Sequence, residues 1–210
     1  MYRNAVGAPP ESKWKMLLPL LFEAGFAARI VRKRLKLHTP LNTTDRQVLE
    51  EVIFPHFCAL ATVRTVLFVG CGSYTAHYQR RYFPSADYWT LEPDPSLRRY
   101  GATQHVVAPF EELARHFTEN SIDLIICNGV YGWGLDRAEQ CEAAFSQAHA
   151  CLRPGGFLLF GWDDVPRRTP VPLESLPSLA RFRRYELPAL ATWRYLTHTP
   201  YRHTYDFYQK

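Results

Sequence analysis

The sequence is short of several things, and each shortage excludes something. Cysteine pairs are missing: the five cysteines, Cys58, Cys71, Cys127, Cys141 and Cys151, are scattered with no CxxC spacing among them. An odd, unclustered set argues against a disulfide framework and against a zinc site, so no metal is expected and a reducing cytoplasm is the expected setting. Cys71 and Cys127 are expected to serve as small buried hydrophobes. Long apolar runs are missing as well. The stretch "KMLLPLLFEAGFAARIVRKRLKL" begins apolar, but Glu23 and Arg29 interrupt it and no small-residue cleavage site follows. Neither a signal peptide nor a bilayer span is expected there. No internal repeat and no low-complexity segment is present. The formal net charge is only +5, with no dense Lys/Arg stripe to follow a phosphate backbone, so nucleic acid is not an expected partner.

What is present is a chain of 210 residues, 47% hydrophobic and 21% charged, which suits one soluble core with a short appendage. Residues 1–43 are expected to form that appendage, a helical cap bracketed by Pro9-Pro10 and Pro40. Part of the positive charge lies in "RIVRKRLK", Arg29 to Lys36. An amphipathic helix over 14–37 is a candidate for peripheral contact with an anionic membrane or for an acidic or phosphate-bearing substrate; a solvated basic face is the plainer alternative. "NTTDRQVLEEVIFPHF" then reads as a helix, with Thr43 or Thr44 as N-cap and Val48, Val52 and Ile53 as its apolar stripe.

From Thr65 onward, continuous apolar runs alternate with helical stretches: "TVLFVG", "YWTLEP", "QHVVA", "IDLIICNG" and "FLLFGW". Such strands, bounded by helices, imply a parallel sheet covered on both faces. After a proline-rich loop (Pro166, Pro170, Pro172, Pro177) come "ATWRYLTH" and "HTYDFYQK". With no helix between them they are expected to close the sheet as an antiparallel pair.

Ligands of open parallel sheets bind beyond the carboxyl ends of the strands, so the residues after each apolar run are the candidates. The first run ends in Gly70, Cys71, Gly72, Ser73 and Tyr74. Glycines at alternating positions allow close backbone approach to a ligand. Tyr74 stands where a third alternating glycine would be expected, and "GCGSYT" has no glycine where the third of G-x-G-x-x-G belongs, which excludes a nicotinamide dehydrogenase reading. The second run ends in Glu92 and Pro93, and a carboxylate about twenty residues past the glycines is suited to a ribose diol; a surface glutamate before a turn is the alternative. The fourth ends in "CNGVYGWG", where Tyr131 and Trp133 either line a pocket or cover the sheet end. The fifth ends in Trp162, Asp163 and Asp164. Asp163 is a candidate general base or a solvated loop acid, and His77 a second candidate base or a packed histidine.

In this order the pieces resemble the class I S-adenosylmethionine-dependent methyltransferases. "VLFVGCGSY" is similar to the family's first motif, and "TLEPDP" to the second, whose acid holds the ribose. "SIDLIICNGVYGW" resembles the fourth strand and the loop under the methionine end, and "CLRPGGFLLFGW" the Pro-Gly-Gly turn into strand five. The resemblance covers about residues 44–210. It implies an α/β, Rossmann-like, seven-stranded, mostly parallel sheet with an antiparallel closing strand, plus the N-terminal helical cap. It also implies S-adenosyl-L-methionine as cofactor, in contact with Gly70, Cys71, Gly72, Ser73, Tyr74, Glu92, Pro93, Asn128, Gly129 and Val130. Tyr131, Trp133 and Trp162 are the expected pocket for a small-molecule acceptor, with oxygen favoured over nitrogen or carbon. Three positions depart from the family pattern. Phe68 replaces the acid of the first motif, Tyr74 its third glycine, and Ala108-Pro109 stand where an acid commonly meets adenine. The first two support a second reading, a catalytically silent methyltransferase fold that serves as a binding scaffold.

Overall fold

The computed structural model describes residues 41–210. The expected cap helix, the basic run 29–36 and the membrane-contact stretch 14–37 lie outside the described residues. The first described helix is α1, Thr44–Val48. Thr43 holds the N-cap position in an extended conformation, but its hydroxyl makes no capping bond. The helix widens into a π-turn at Leu49–Ile53 and resumes as α2, Phe54–Ala59. Pro55 gives no N–H and its ring crowds the carbonyl four residues back, which a widened turn relieves. Leu49, Ile53, Phe54 and Phe57 are buried along this helix, whereas Val48 is half-buried.

The strands are β1 (Thr65–Val69), β2 (Asp87–Leu91), β3 (Gln104–Val106), β4 (Ile122–Asn128), β5 (Leu152–Asp163), β6 (Arg183–Arg184), β7 (Arg194–Leu196) and β8 (His203–Gln209). They form one sheet in the order β3-β2-β1-β4-β5-β8-β6, with β7 also on β8. β1 to β5 are parallel to one another and β8 runs antiparallel to β5. The sheet therefore has the seven expected positions, with the last shared by two short strands: β6 pairs with the end of β8 and β7 with its start. No apolar pattern marks β6, which is only "RR". The "RPGG" segment, expected as a turn before β5, is a bulge within it. Ile122 pairs with Leu152, but Leu124 pairs with Phe157, and Gly155 takes a positive φ of 81° in the looped-out stretch.

Side-chain alternation sends each strand's residues into two apolar layers. Leu67, Val69, Ile125, Cys127, Leu158 and Phe160 face one layer. It is covered by α4, Ala138–Cys151, whose Cys141, Ala144, Phe145, Ala148 and Cys151 recur at helical spacing and are buried. Val66, Phe68, Leu124, Ile126, Leu159, Tyr205 and Phe207 face the other, covered by α1, α2 and α3 (Tyr78–Tyr82). β4 is buried along its whole length, as expected of a central parallel strand. Chain order reverses at β1, which lies between β2 and β4, so the tips of β1 and β4 flank the crevice where open α/β sheets bind ligands. Among the described residues no helix is long and apolar enough to cross a membrane.

Candidate active site

The tips of β1, β2 and β4 open into a cavity of about 420 Å³, within the range of small-molecule sites. Its walls include Phe68, Gly70, Cys71 and Tyr74 from the first turn and Glu92, Pro93 and Leu97 after β2. Pro109, Phe110 and Glu111 after β3, and Asn128, Gly129, Val130 and Trp133 after β4, complete it.

Backbone hydrogen bonds fix these tips against one another. Gly70 N donates to Leu91 O at 2.8 Å, Glu92 N to Val106 O at 3.1 Å, and Gly129 N to Gly161 O at 3.0 Å. Gly70 has φ +80°, which favours glycine, and a Cβ there would press on Val130 at 3.2 Å. The turn is closed by Thr75, whose hydroxyl accepts from Gly72 N at 3.0 Å and whose N–H donates to Gly72 O at 3.0 Å. The Tyr74 ring folds back over the turn: a Cβ on Gly72 would lie 2.9 Å from its edge. The Arg46 guanidinium covers that ring at 4.8 Å.

Glu92 is 9% exposed. One carboxylate oxygen accepts from Cys71 N at 3.1 Å and the other from Asp94 N at 3.0 Å. Two bonds leave lone pairs of the carboxylate for a ligand. Burial, with the Glu92 charge beside it, pushes the Cys71 thiol up to about 12, so it stays protonated and unreactive at neutral pH.

At the other wall, Asn128 Oδ1 lies 2.9 Å from His203 Nε2, and His203 Nδ1 lies 2.7 Å from Asp163 Oδ1. Trp133 Nε1 donates to Asp163 Oδ2 at 3.3 Å. Burial works against the Asp163 charge. The His203 hydrogen bond and charge, then Trp133 and Arg168, outweigh it and hold the carboxyl below its ordinary range. Asn128 Nδ2 is buried with no hydrogen-bond partner, although Asn128 lines the cavity. Over the mouth, Arg168 stacks on Trp133 at 3.2 Å from the ring centre and donates to Gly132 O at 2.8 Å. Tyr131 OH donates to Val171 O and accepts from Val171 N at 3.3 Å. The loops after β4 and β5 are thereby clasped together.

Of the residues singled out from the sequence, Gly70, Cys71, Tyr74, Glu92, Pro93, Asn128, Gly129, Val130 and Trp133 share this cavity. Gly72 and Ser73 lie in the turn but not on its wall. Tyr131 and Trp162 line a neighbouring cavity of about 280 Å³ with Asp164, Glu174 and Arg194. Asp163 stands behind Trp133 and His203 rather than on the wall. His77 packs against the rings of Tyr78 and Tyr82 and lies 3.7 Å from Glu50, away from the cavity. Contributors not anticipated include Glu111, which accepts from Gln140 Nε2 at 2.8 Å; the apolar wall residues Leu97 and Phe110; Thr75; and His203. Glu111 comes three residues after Ala108, too late for a pattern that looks for the acid directly after β3. His203 was legible only through pairing, because antiparallel register sets it opposite Asp163. Among the described residues no group of acidic, histidine or cysteine side chains is arranged to hold a metal ion.

Residues 67–160 match a family model described as a methyltransferase domain. No curated protein sequence matches the chain. Among solved structures it is similar to the N-methyltransferase NodS from Bradyrhizobium japonicum WM9, with 14% identity over 81% of this chain and 99% of that one and a TM-score of 0.60. The same enzyme in complex with S-adenosyl-L-homocysteine gives 14% identity, 80% and 89% coverage and a TM-score of 0.59. A TehB-like SAM-dependent methyltransferase from Corynebacterium glutamicum gives 18% identity, 79% and 93% coverage and a TM-score of 0.54. At these identities the structures speak for a shared fold.

Proposed function

We propose that this chain, which carries a class I S-adenosylmethionine-dependent methyltransferase domain, transfers the donor's methyl group to a small-molecule acceptor. The observation that carries the reading is Glu92. Its buried carboxylate lies in one cavity with the Gly70 turn and is held open-handed by two backbone amides. The residues present suit the donor. Glu92 would take the ribose hydroxyls, and the Gly70–Gly72 backbone together with Asn128, Gly129 and Val130 would line the methionine end. Leu97, Pro109 and Phe110 offer an apolar slot for adenine, with Glu111 able to accept from its amino group.

The donor supplies an electrophilic sulfonium methyl that needs a nucleophile in line with it. The chain's contribution is to hold the acceptor there and keep water away. Trp133, 55% exposed at the mouth, offers an aromatic face to the acceptor, and Tyr131 and Trp162 support the loops behind it. Arg168, stacked on Trp133, favours an acidic or phosphate-bearing acceptor. Oxygen is the expected nucleophile; Asp163 and His77, named from the sequence as bases, both stand off the cavity wall. We read residues 1–43 as a cap on the acceptor side and the protein as cytoplasmic, with neither nucleic acid nor a metal ion as partner.

Calorimetric titration with S-adenosylmethionine and S-adenosylhomocysteine tests the donor site. Wild-type binding in the micromolar range should fall about 10- to 100-fold in Glu92→Ala, the value of a charge-assisted hydrogen-bond pair. Binding should be followed by screening oxygen and nitrogen nucleophiles for release of S-adenosylhomocysteine. Phe68 and Tyr74 at the first motif favour the scaffold reading, and absence of wild-type binding would establish it over catalysis.

A further inference from the structure

The Asp163–His203–Asn128 chain carries more than a structural role. A carboxylate accepts hydrogen bonds and does not donate them, so the 2.7 Å contact at His203 Nδ1 requires a proton on that nitrogen. The contact of Nε2 with Asn128 Oδ1 at 2.9 Å then requires a second proton, because the amide oxygen is also an acceptor. With the amide oxygen toward His203 and both contacts made, both ring nitrogens donate and the Asn128 NH2 group is the end left over. That NH2 is the buried atom with no partner, on a residue of the cavity wall. When His203 loses its Nε2 proton, the lone pair there repels Oδ1 and accepts from NH2 instead. The amide turns over, and its oxygen becomes the end facing the cavity.

We propose that His203, braced by Asp163, is a positioning residue whose proton decides which end of the Asn128 amide faces the cavity. In one state the site offers hydrogen-bond donors; in the other it offers an acceptor. A neutral nucleophile carries its own O–H or N–H and needs an acceptor to turn its lone pair toward the methyl group. The oxygen-out state is therefore the one competent for such a substrate, and the NH2-out state suits an acceptor that arrives as an anion. The assignment to methyl transfer rests on the function proposed above; the coupling between His203 and Asn128 does not.

The surroundings permit the switch. Gly161 faces Asn128 on β5, and a Cβ there would lie 1.9 Å from Oδ1 and 3.0 Å from His203 Nε2, so the contact exists because that position has no side chain. Around His203 stand Asp163 from β5 and Asn128 from β4. The Tyr205 ring, 4.8 Å away on β8, donates its hydroxyl to Asp45 O, beside Arg46. The Thr199 hydroxyl accepts from His203 N. The Arg202–Asp164 pair, at 2.8 Å, adjoins the site, and Arg168 acts on Asp163 from the mouth.

The test has two arms. In the full chain labelled with 15N, the His203 ring nitrogens and the Asn128 side-chain amide are followed from about pH 5 to 8, with His203→Gln and Asn128→Asp assigning the signals. The expected result is one shared midpoint; an Asn128 amide that ignores the His203 titration overturns the proposal. This arm follows the wild-type protein with no ligand, so it stands whether or not the donor binds. In the second arm, kcat/KM for a neutral acceptor should rise about tenfold as His203 loses its proton, the effect of one oriented hydrogen bond. His203→Gln should flatten that rise. A wild-type pH profile retained in His203→Gln overturns the positioning role. Failure of wild-type donor binding would instead overturn the methyltransferase reading.

Discussion

Gly161 and Asn128 are paired residues at the tips of β5 and β4, and the glycine leaves the space that the asparagine amide fills. A Cβ on Gly161 would lie 1.9 Å from Asn128 Oδ1 and 2.9 Å from its Cγ. Gly161→Ala should therefore expel the amide from His203. The expected cost is about 1–3 kcal/mol, read as a fall in Tm of about 2–4 °C per kcal/mol for a chain of this size. Turnover should fall further than stability accounts for. An unchanged Tm would show that the two tips are looser than their geometry implies.

The parts of this fold that were legible in the sequence are those governed by period and by turn chemistry. The continuous apolar runs of β1 and β4 reported a doubly covered parallel sheet, and Gly70 and Glu92 reported two of its tips. What escaped was set by tertiary pairing. β6 consists of two exposed arginines, Arg183 and Arg184, held in place by β8 rather than by any strand propensity of their own. The "RPGG" stretch has the composition of a turn, yet the neighbouring strands carry it as a bulge. His203 sits at the start of a strand with no local motif around it. Only the register of β8 against β5, which brings it opposite Asp163, gives it a role.

Tyr74 covers the second glycine of the turn, so replacing it should expose backbone that a donor would use. Tyr74→Gly is expected to tighten S-adenosylhomocysteine binding about tenfold. It should also lower Tm, because stacking of the buried Arg46 at 4.8 Å is worth about 1–2 kcal/mol. Weaker binding in this variant would mean that the ring itself stacks on the ligand. Phe68→Asp, which introduces the acid usual in the first motif of class I methyltransferases, should behave differently. Phe68 is 1% exposed and packs edge-on against Tyr78 at 5.5 Å, so its loss should cost about 3–5 kcal/mol and yield poorly folded protein rather than a better donor site.

Removal of residues 1–38 separates the two halves of the proposed function. If this segment, with its basic run Arg29 to Lys36, serves the acceptor side, S-adenosylhomocysteine affinity should hold within about threefold while turnover falls at least about tenfold. Titration calorimetry and a product-release assay on the same preparation give both numbers. Equal loss of both would assign the segment to folding or donor binding instead.

Asp163 should also make the domain sensitive to acid. Its carboxyl is held below the ordinary range in the folded state, where His203, Trp133 and Arg168 outweigh the cost of burial. The unfolded chain returns it to about 3.9. In the window between those two values the unfolded state binds more protons, so stability rises with pH there. The contribution is fully present above the unfolded value and is lost as pH falls through the folded one. Asp163→Asn removes that titration and should lower stability at neutral pH, since His203 Nδ1 and Trp133 Nε1 lose a charged hydrogen-bond acceptor. It should also flatten the decline on acidification. Urea midpoints of the two proteins, measured at neutral pH and then stepwise down through the carboxylate range, should converge as the wild-type carboxyl protonates. A constant gap between them at every pH would mean that Asp163 is held by packing alone and that its charge contributes nothing to the folded state.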